Sequence, residues 1–383
     1  MHETIIVDAS NLVTGGGVTH LRELISAAQP EQHGFSRVII YAKRRILDQL
    51  PERSWLRRES DPLLEGSLLQ RIRWQRRVFE RRLRENPDAI LWVPGGSYLG
   101  SKAPFVTMMR NLLPFDRPER QRVGWSKNRI RLKLLGLIQS RTFRRASGII
   151  FLSEFSRRKT VECLGVLNAS TVVIPHGIGK QFLQRPRPQR DLSEVSAANP
   201  FRLLYVSPID VYKHAWHVAE AVSQLRRKNI PVQIDFVGPV ARLARRRFEE
   251  AVDRFDPERK FLFARGAIPY EDMAAIYRDA EVFVFASSCE TFGNILLEAM
   301  GAGLPIACSN RSAMPEILGD AGVYFDPEKP QEISDALLSL IQSRQERESY
   351  GEKAYLRAAA YSWDKCAEKT FSFLRACATP PQR

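Results

Sequence analysis

Two glutamates eight positions apart, Glu290 and Glu298, stand inside the stretch Ala286 to Asn310, ASSCETFGNILLEAMGAGLPIACSN. An apolar run predicts a strand ending at Phe285 and a short loop that holds Glu290. Gly293 then opens a helix with Glu298 on its second turn, and Gly301-Ala302-Gly303 stops it before Leu304-Pro305 starts another strand. Backbone N–H groups around Phe292, Gly293 and Asn294 are the donors a helix start leaves over, which suits an anion such as a diphosphate. Gly293 lets the backbone approach a ligand closely. Each carboxylate could accept hydrogen bonds from sugar hydroxyls, worth on the order of 1.5–3 kcal/mol apiece. Taken singly, Glu290 reads better as a helix cap and Glu298 as a solvent-facing side chain. The two together, with Gly293 and the Gly-Ala-Gly-Leu-Pro stop, favour a binding role.

This segment resembles the E-x7-E signature of glycosyltransferase family four, retaining transferases of the GT-B fold. Ser309-Asn310, Pro315-Glu316-Ile317, Asp320-Ala321-Gly322 and Phe325-Asp326-Pro327 are similar to that family's downstream pattern, so the resemblance covers most of residues 200–330. It implies that Glu290 faces the transferred sugar and Glu298 the nucleotide ribose. Phe292, Gly293 and Asn294 would offer backbone donors to sugar or phosphate. Lys213, in Y-V-S-P-I-D-V-Y-K-H, resembles the family's phosphate-binding lysine, which would neutralise the leaving nucleoside diphosphate. Read alone, a lysine there is more often a surface residue at a helix start.

Two departures stand out. Ser207-Pro208 occupy the place of a usual Gly-Arg pair, so the arginine that would share the diphosphate is missing; Arg265 and Arg311 are the candidates to replace it. Met109-Arg110-Asn111-Leu112-Leu113-Pro114 resembles the family's strand-to-loop segment, with Arg110-Asn111 where His followed by Asp is common. Arg110 is left as a contact for a donor phosphate or an acceptor hydroxyl. Thr14-Gly15-Gly16-Gly17-Val18-Thr19-His20 resembles the glycine-rich N-terminal loop, and Gly16 and Gly17 would face the donor. The G-x-G-x-x-G spacing of a dinucleotide-binding turn is absent from it. His176-Gly177 reads as a structural turn.

The elements that must hold these residues form two strand–helix series. Apolar runs predict strands at Thr4–Asp8, Arg37–Tyr41, Ala89–Val93, Phe105–Met109, Gly148–Leu152 and Thr171–Ile174, then at Phe201–Val206, Val232–Val237, Lys260–Ala264, Glu281–Phe285 and Leu304–Cys308. A polar stretch near Lys180–Pro200 reads as the linker. Alternation of this kind predicts an α/β protein of two doubly wound domains facing across an interdomain cleft, and the family resemblance implies that they are the Rossmann-like domains of the GT-B fold. The boundaries expected are 1–185 for an acceptor-side domain and 200–362 for a nucleotide-sugar donor domain, with a final helix in 363–383 packing back on the first. Ligands of such sheets bind beyond the carboxyl ends of the strands.

Charge narrows the partners. Residues 1–190 carry 34 Lys+Arg against 16 Asp+Glu, so the whole excess behind the net +15 lies in the first half. That points to an anionic partner: a membrane surface, a nucleic acid or a phosphorylated substrate. Leu68–Arg84 sets Leu69, Ile72, Trp74, Val78 and Phe79 among seven arginines, and Arg120–Arg145 adds further basic and apolar residues. They read either as interfacial helices on an anionic leaflet or as packed helices with arginine-rich outer faces. No apolar run approaches the roughly 18 residues of a membrane span. The N-terminus reads as a core strand rather than a signal peptide, so a cytoplasmic location, peripheral on the inner face of the membrane, is expected. Five scattered cysteines have no metal-ligand spacing, and no D-x-D triplet occurs, so no metal or cofactor beyond a UDP- or GDP-sugar substrate is expected. The reading is transfer of that sugar to a saccharide or lipid-diphosphate-linked acceptor in bacterial cell-surface polysaccharide or lipopolysaccharide assembly. A nucleotide-sugar epimerase or another GT-B enzyme is one rival. A basic nucleic-acid-binding protein is the other, and it lacks any recognisable recognition module.

Overall fold

Short runs of aliphatic and aromatic residues, apolar at successive positions rather than alternate ones, form strands covered on both faces, the habit of parallel sheets. A computed structural model of the chain describes residues 3–13, 15–102 and 104–378. Met1, His2, Thr14 of the glycine-rich loop and residues 379–383 of the expected final helix lie outside them. The chain divides into two units. One comprises Met1–Phe115, Ser126–Gly177 and Ser362–Arg383; the other comprises Asp116–Trp125 and Ile178–Tyr361.

The first unit holds β1 (Thr4–Asp8), β2 (Arg37–Tyr41), β3 (Leu56–Glu59), β4 (Ile90–Val93), β5 (Phe105–Met108), β6 (Gly148–Phe151) and β7 (Ser170–Val173). They pair in parallel in the order β3-β2-β1-β4-β5-β6-β7, with Val7 opposite both Ile40 and Trp92. Chain order reverses between β1 and β4, which makes the carboxyl end of β1 a ligand position by topology. Helix α1 (Gly16–Ala27) follows β1, and α2 (Lys127–Arg145) leads into β6. The final helix, Trp363–Ala378, lies in this unit, where Arg375 Nε donates to the His33 carbonyl at 2.7 Å.

The second unit holds β8 (Phe201–Val206), β9 (Val232–Val237), β10 (Leu262–Gly266), β11 (Val282–Phe285), β12 (Ile306–Ser309) and β13 (Val323–Phe325). Their parallel order is β10-β9-β8-β11-β12-β13, and the reversal falls between β8 and β11. Helix α3 (Ala215–Arg227) follows β8, and α4 (Asn294–Gly301) follows β11. Phe201, Val222, Ile234, Phe236, Val282 and Leu337 form part of a continuous buried core beneath them.

The expected linker is corrected by the structure. Ile178 to Pro200 is part of the second unit rather than a free connection. The Phe182 ring meets those of Tyr270 and Tyr277 at 5.5 and 5.8 Å, and Arg190 Nε lies 2.9 Å from Glu281 Oε1. Packing through isolated anchors leaves no period to read.

Candidate active site

Both loops that flank the reversal in the second sheet carry a residue singled out by sequence. β8 runs out at Val206, and the following loop is tied down before α3 begins: Val211 N donates to Asp210 Oδ1 at 2.7 Å, and Lys213 N to the Asp210 carbonyl at 2.9 Å. Tyr205 Oη donates to the Lys213 carbonyl at 2.6 Å from below. His214 adopts a left-handed backbone (φ 51°) to turn the chain into α3. From the other side, the loop after β11 presents Glu290, whose N–H donates to Ser312 Oγ at 3.1 Å. Lys213 Nζ and Glu290 Oε1 form an ion pair between the two loops. The pair is secluded, with side-chain exposures of 6% and 18%. The ammonium also lies 5.1 Å from the Tyr212 ring centre and 5.3 Å from that of Phe285, a cation–π setting.

Ser288 fastens the loops together. Its N–H donates to the Tyr212 carbonyl at 2.9 Å, and its Oγ lies 2.9 Å from His214 Nε2. Burial drives the His214 imidazole down to about 3, aided by the Arg122 charge, so it is neutral at physiological pH. Ser288 also shares a hydrogen bond with Glu119, from Asp116–Trp125. In the same strap Arg122 grips Glu328 with two parallel bonds, Nη1 donating to Oε2 at 2.8 Å, and bonds Glu119 through Nε at 2.8 Å. The expected boundary gave this strap to the first domain; its contacts place it in the second unit.

The other candidates are distributed as follows. Gly293 takes φ 92° and caps α4, a backbone closed to most side chains, and Asn294 begins the helix. Phe292 is buried with its ring 5.7 Å from that of Tyr361. Glu298, on the second turn, receives a hydrogen bond from Tyr277 Oη at 3.0 Å on Oε2. Burial raises its carboxyl to about 7, against the pull of that bond. Arg265 is not brought to the ion pair. It sits on the edge strand β10, bonded to Asp235, with β9 and β8 between it and β11. Arg311 is one residue from Ser312 and holds both Asp326 oxygens, at 2.8 and 3.0 Å.

In the first unit, Arg110 and Gly17 meet at the carboxyl ends of β5 and β1. The Arg110 guanidinium is buried, which lowers it to about 10, and its Nη1 donates to the Gly17 carbonyl at 3.4 Å. A Cβ at Gly17 would stand 3.2 Å from Leu12 Cδ2 and 3.4 Å from Arg110 Nη2, so the turn is tight. Gly15 (φ 68°) caps α1, and Gly16 is its first residue. One turn along, the fully buried His20 ring stacks on His176 at 4.6 Å and leans on Trp363 at 5.8 Å. A Cβ on Gly177 would meet Trp363 N at 2.2 Å. The His176-Gly177 turn therefore accommodates the start of the final helix.

Sequence reasoning missed His214, Ser288, Tyr277, Ser312 and the Glu119–Arg122 strap. His214 and Ser288 adjoin or nearly adjoin the residues it found. Nothing in spacing connects the strap, whose Arg122 is 206 positions from Glu328.

Two doubly wound parallel-sheet units, each with a switch point in its strand order, are the architecture of the GT-B class. The pattern of the family described as "Glycosyl transferases group 1" matches residues 189–357, and that of "Glycosyltransferase Family 4" matches residues 14–182. The chain belongs to glycosyltransferase family four. It is 37% identical over 107 residues to the O-antigen chain mannosyltransferase B of Escherichia coli. That stretch covers 28% of this chain and 28% of that protein's length. Among solved structures it shares its fold with a sucrose-phosphate synthase from Thermosynechococcus elongatus, at TM-score 0.74 and 17% identity over 98% of this chain and 99% of that one. Anabaena HepE, solved in complex with UDP and glucose, superposes with TM-score 0.69 and 17% identity over 98% of this chain and 100% of the other.

Proposed function

We propose that this chain transfers a sugar from a nucleoside-diphosphate sugar to a hydroxyl acceptor, with retention, in the assembly of a bacterial cell-surface polysaccharide or lipopolysaccharide. The observation that carries the proposal is the secluded Lys213–Glu290 pair bridging the two loops at the switch point. Support for the substrate class comes from the O-antigen mannosyltransferase relative and from a shared fold with a protein solved with UDP and glucose.

In this mechanism the donor diphosphate displaces Glu290 as the partner of Lys213. The bond from the anomeric carbon to the diphosphate oxygen breaks, and its electron pair leaves with the phosphate. The acceptor oxygen bonds the same face of that carbon, and its proton passes to the departing phosphate oxygen. Lys213 stabilises the negative charge where it grows, in a site with little water to screen it. Glu290, released, accepts hydroxyl hydrogen bonds and fixes the sugar's orientation. The N-terminus of α4 at Gly293 and Asn294 adds a favourable dipole for phosphate. Glu298 and its partner Tyr277 bind the ribose. The acceptor is carried on a lipid diphosphate, so the enzyme works at a membrane surface.

A melting-shift series with UDP- and GDP-sugars tests the donor class, since a ligand of the native state raises apparent stability. A shift with one nucleotide sugar that disappears in Lys213→Ala is expected. No shift with any nucleotide sugar would sink the proposal.

A further inference from the structure

We infer that the outward face of α2 docks on an anionic lipid surface. Ile130, Leu134 and Leu137 are 62%, 55% and 69% exposed. Their spacing of four and three places them on one face of the helix. The opposite face is the packed one, with Leu132, Gly136, Gln139 and Phe143 buried. The outer stripe therefore owes nothing to the core, and apolar side chains of that size gathered on a surface mark an interaction site.

Charge selects the occupant. Exposed Lys127, Arg131 and Lys133 border the stripe toward the start of α2, and exposed Arg141 and Arg144 toward its end. No Asp or Glu occurs between Glu119 and Glu154, so the helix has no acid of its own to offset them. A second copy of the same face would press cation against cation. A nucleic acid would meet the positive rim but gain nothing from aliphatic side chains, since single strands are held by aromatic stacking. An anionic bilayer satisfies both halves: the aliphatics enter the headgroup boundary, and the long basic side chains reach the phosphates. With 19 residues, α2 extends about 28 Å along such a surface. Among the described residues no helix is long and apolar enough to cross the membrane, so the contact lies in its plane.

The inference rests on the transferase reading for its purpose, delivery of the enzyme to a lipid-borne acceptor, but the binding is measured without turnover. The full chain is sedimented with phosphatidylcholine vesicles, with or without phosphatidylglycerol. Binding only to the anionic vesicles is expected. The variant Ile130→Ser/Leu134→Ser/Leu137→Ser keeps every charge and should bind roughly 100-fold more weakly. Lys127→Gln/Arg131→Gln/Lys133→Gln keeps the stripe and should also lose about 100-fold, near fivefold per cation. All six positions are at the surface, or nearly so, and an unchanged melting temperature checks the fold of both variants. Serine-variant binding equal to wild type would overturn the proposal, because net charge alone would then explain the association. So would loss of single-stranded RNA binding in the glutamine variant alongside vesicle binding indifferent to the serines. Melting shifts with nucleotide sugars, taken on the same samples, should be unaltered in both variants. Their absence in wild type would refute the transferase reading and leave the vesicle result intact.

Discussion

Lys213 and Glu290 depend on each other, and that dependence separates their structural from their chemical role. Removing one member of a secluded ion pair leaves the other's charge uncompensated and costs about 3–5 kcal/mol. Lys213→Met and Glu290→Gln should each lower stability by roughly that much in urea titrations, while the double variant regains most of the loss. Activity should not follow stability. Loss of the lysine should reduce kcat about 100- to 1000-fold, as for one removed oxyanion donor, and the double variant should stay equally slow. Recovery of turnover in the double variant would contradict the assigned role. Glu298 gives a pH signature of its own. Its folded pKa of about 7 stands above the ordinary carboxyl value of 4.5, so the folded state holds this proton more tightly than the unfolded chain. The stability this lends is complete below about 4.5 and is lost as pH rises through 7. Glu298→Gln, which never ionises, should therefore match wild type near pH 4.5 and melt higher than wild type at pH 8.

At the scale of elements, Gly177 offers a sharp test. A methyl group there would sit 2.2 Å from Trp363 N, a backbone atom that cannot swing aside. Gly177→Ala should cost roughly 1–3 kcal/mol or more, read as a drop in denaturation midpoint. Legibility in the sequence followed the same logic of what must be apolar and what need not be. The sequence predicts β8 and β9 to the residue: five of six positions are apolar in Phe201–Val206, interrupted by Arg202, and four of six in Val232–Val237, interrupted by Gln233 and Asp235. β3, Leu-Arg-Arg-Glu, escaped because at the sheet edge Arg57 and Arg58 stay exposed and only Leu56 is apolar, which leaves no run to read. The helix Arg344–Ala359 escaped for a different reason: it packs through Gly351, Ala354 and Ala358, small residues that leave no hydrophobic stripe. Gly351 brings it so close to the Gly303 carbonyl that a Cβ would stand 2.7 Å away. In the site, Lys213, Glu290 and Gly293 were legible because one local segment or one loop start carries each. Their pairing was not, since Lys213 and Glu290 are 77 positions apart. Arg265 stands out in the sequence by its charge alone, and nothing in the spacing reveals Asp235 beside it.

At the scale of the molecule, the proposed chemistry takes its positive charge from a lysine rather than a cation from solution. Turnover should therefore be unchanged by a chelator such as EDTA, and a loss restored by added magnesium or manganese would refute that. The strap Asp116–Trp125 has a consequence for how the protein is made. Arg122 leaves the ribosome 206 residues ahead of Glu328, an interval of about 10–40 s at ordinary synthesis rates. The first unit waits longer still, because Trp363–Ala378 follows the whole of the second unit along the chain. The first unit cannot be finished while the second is being translated. The first sheet, whose seven strands are all made by Val173, thus waits through the synthesis of the second unit for a helix that belongs to its own.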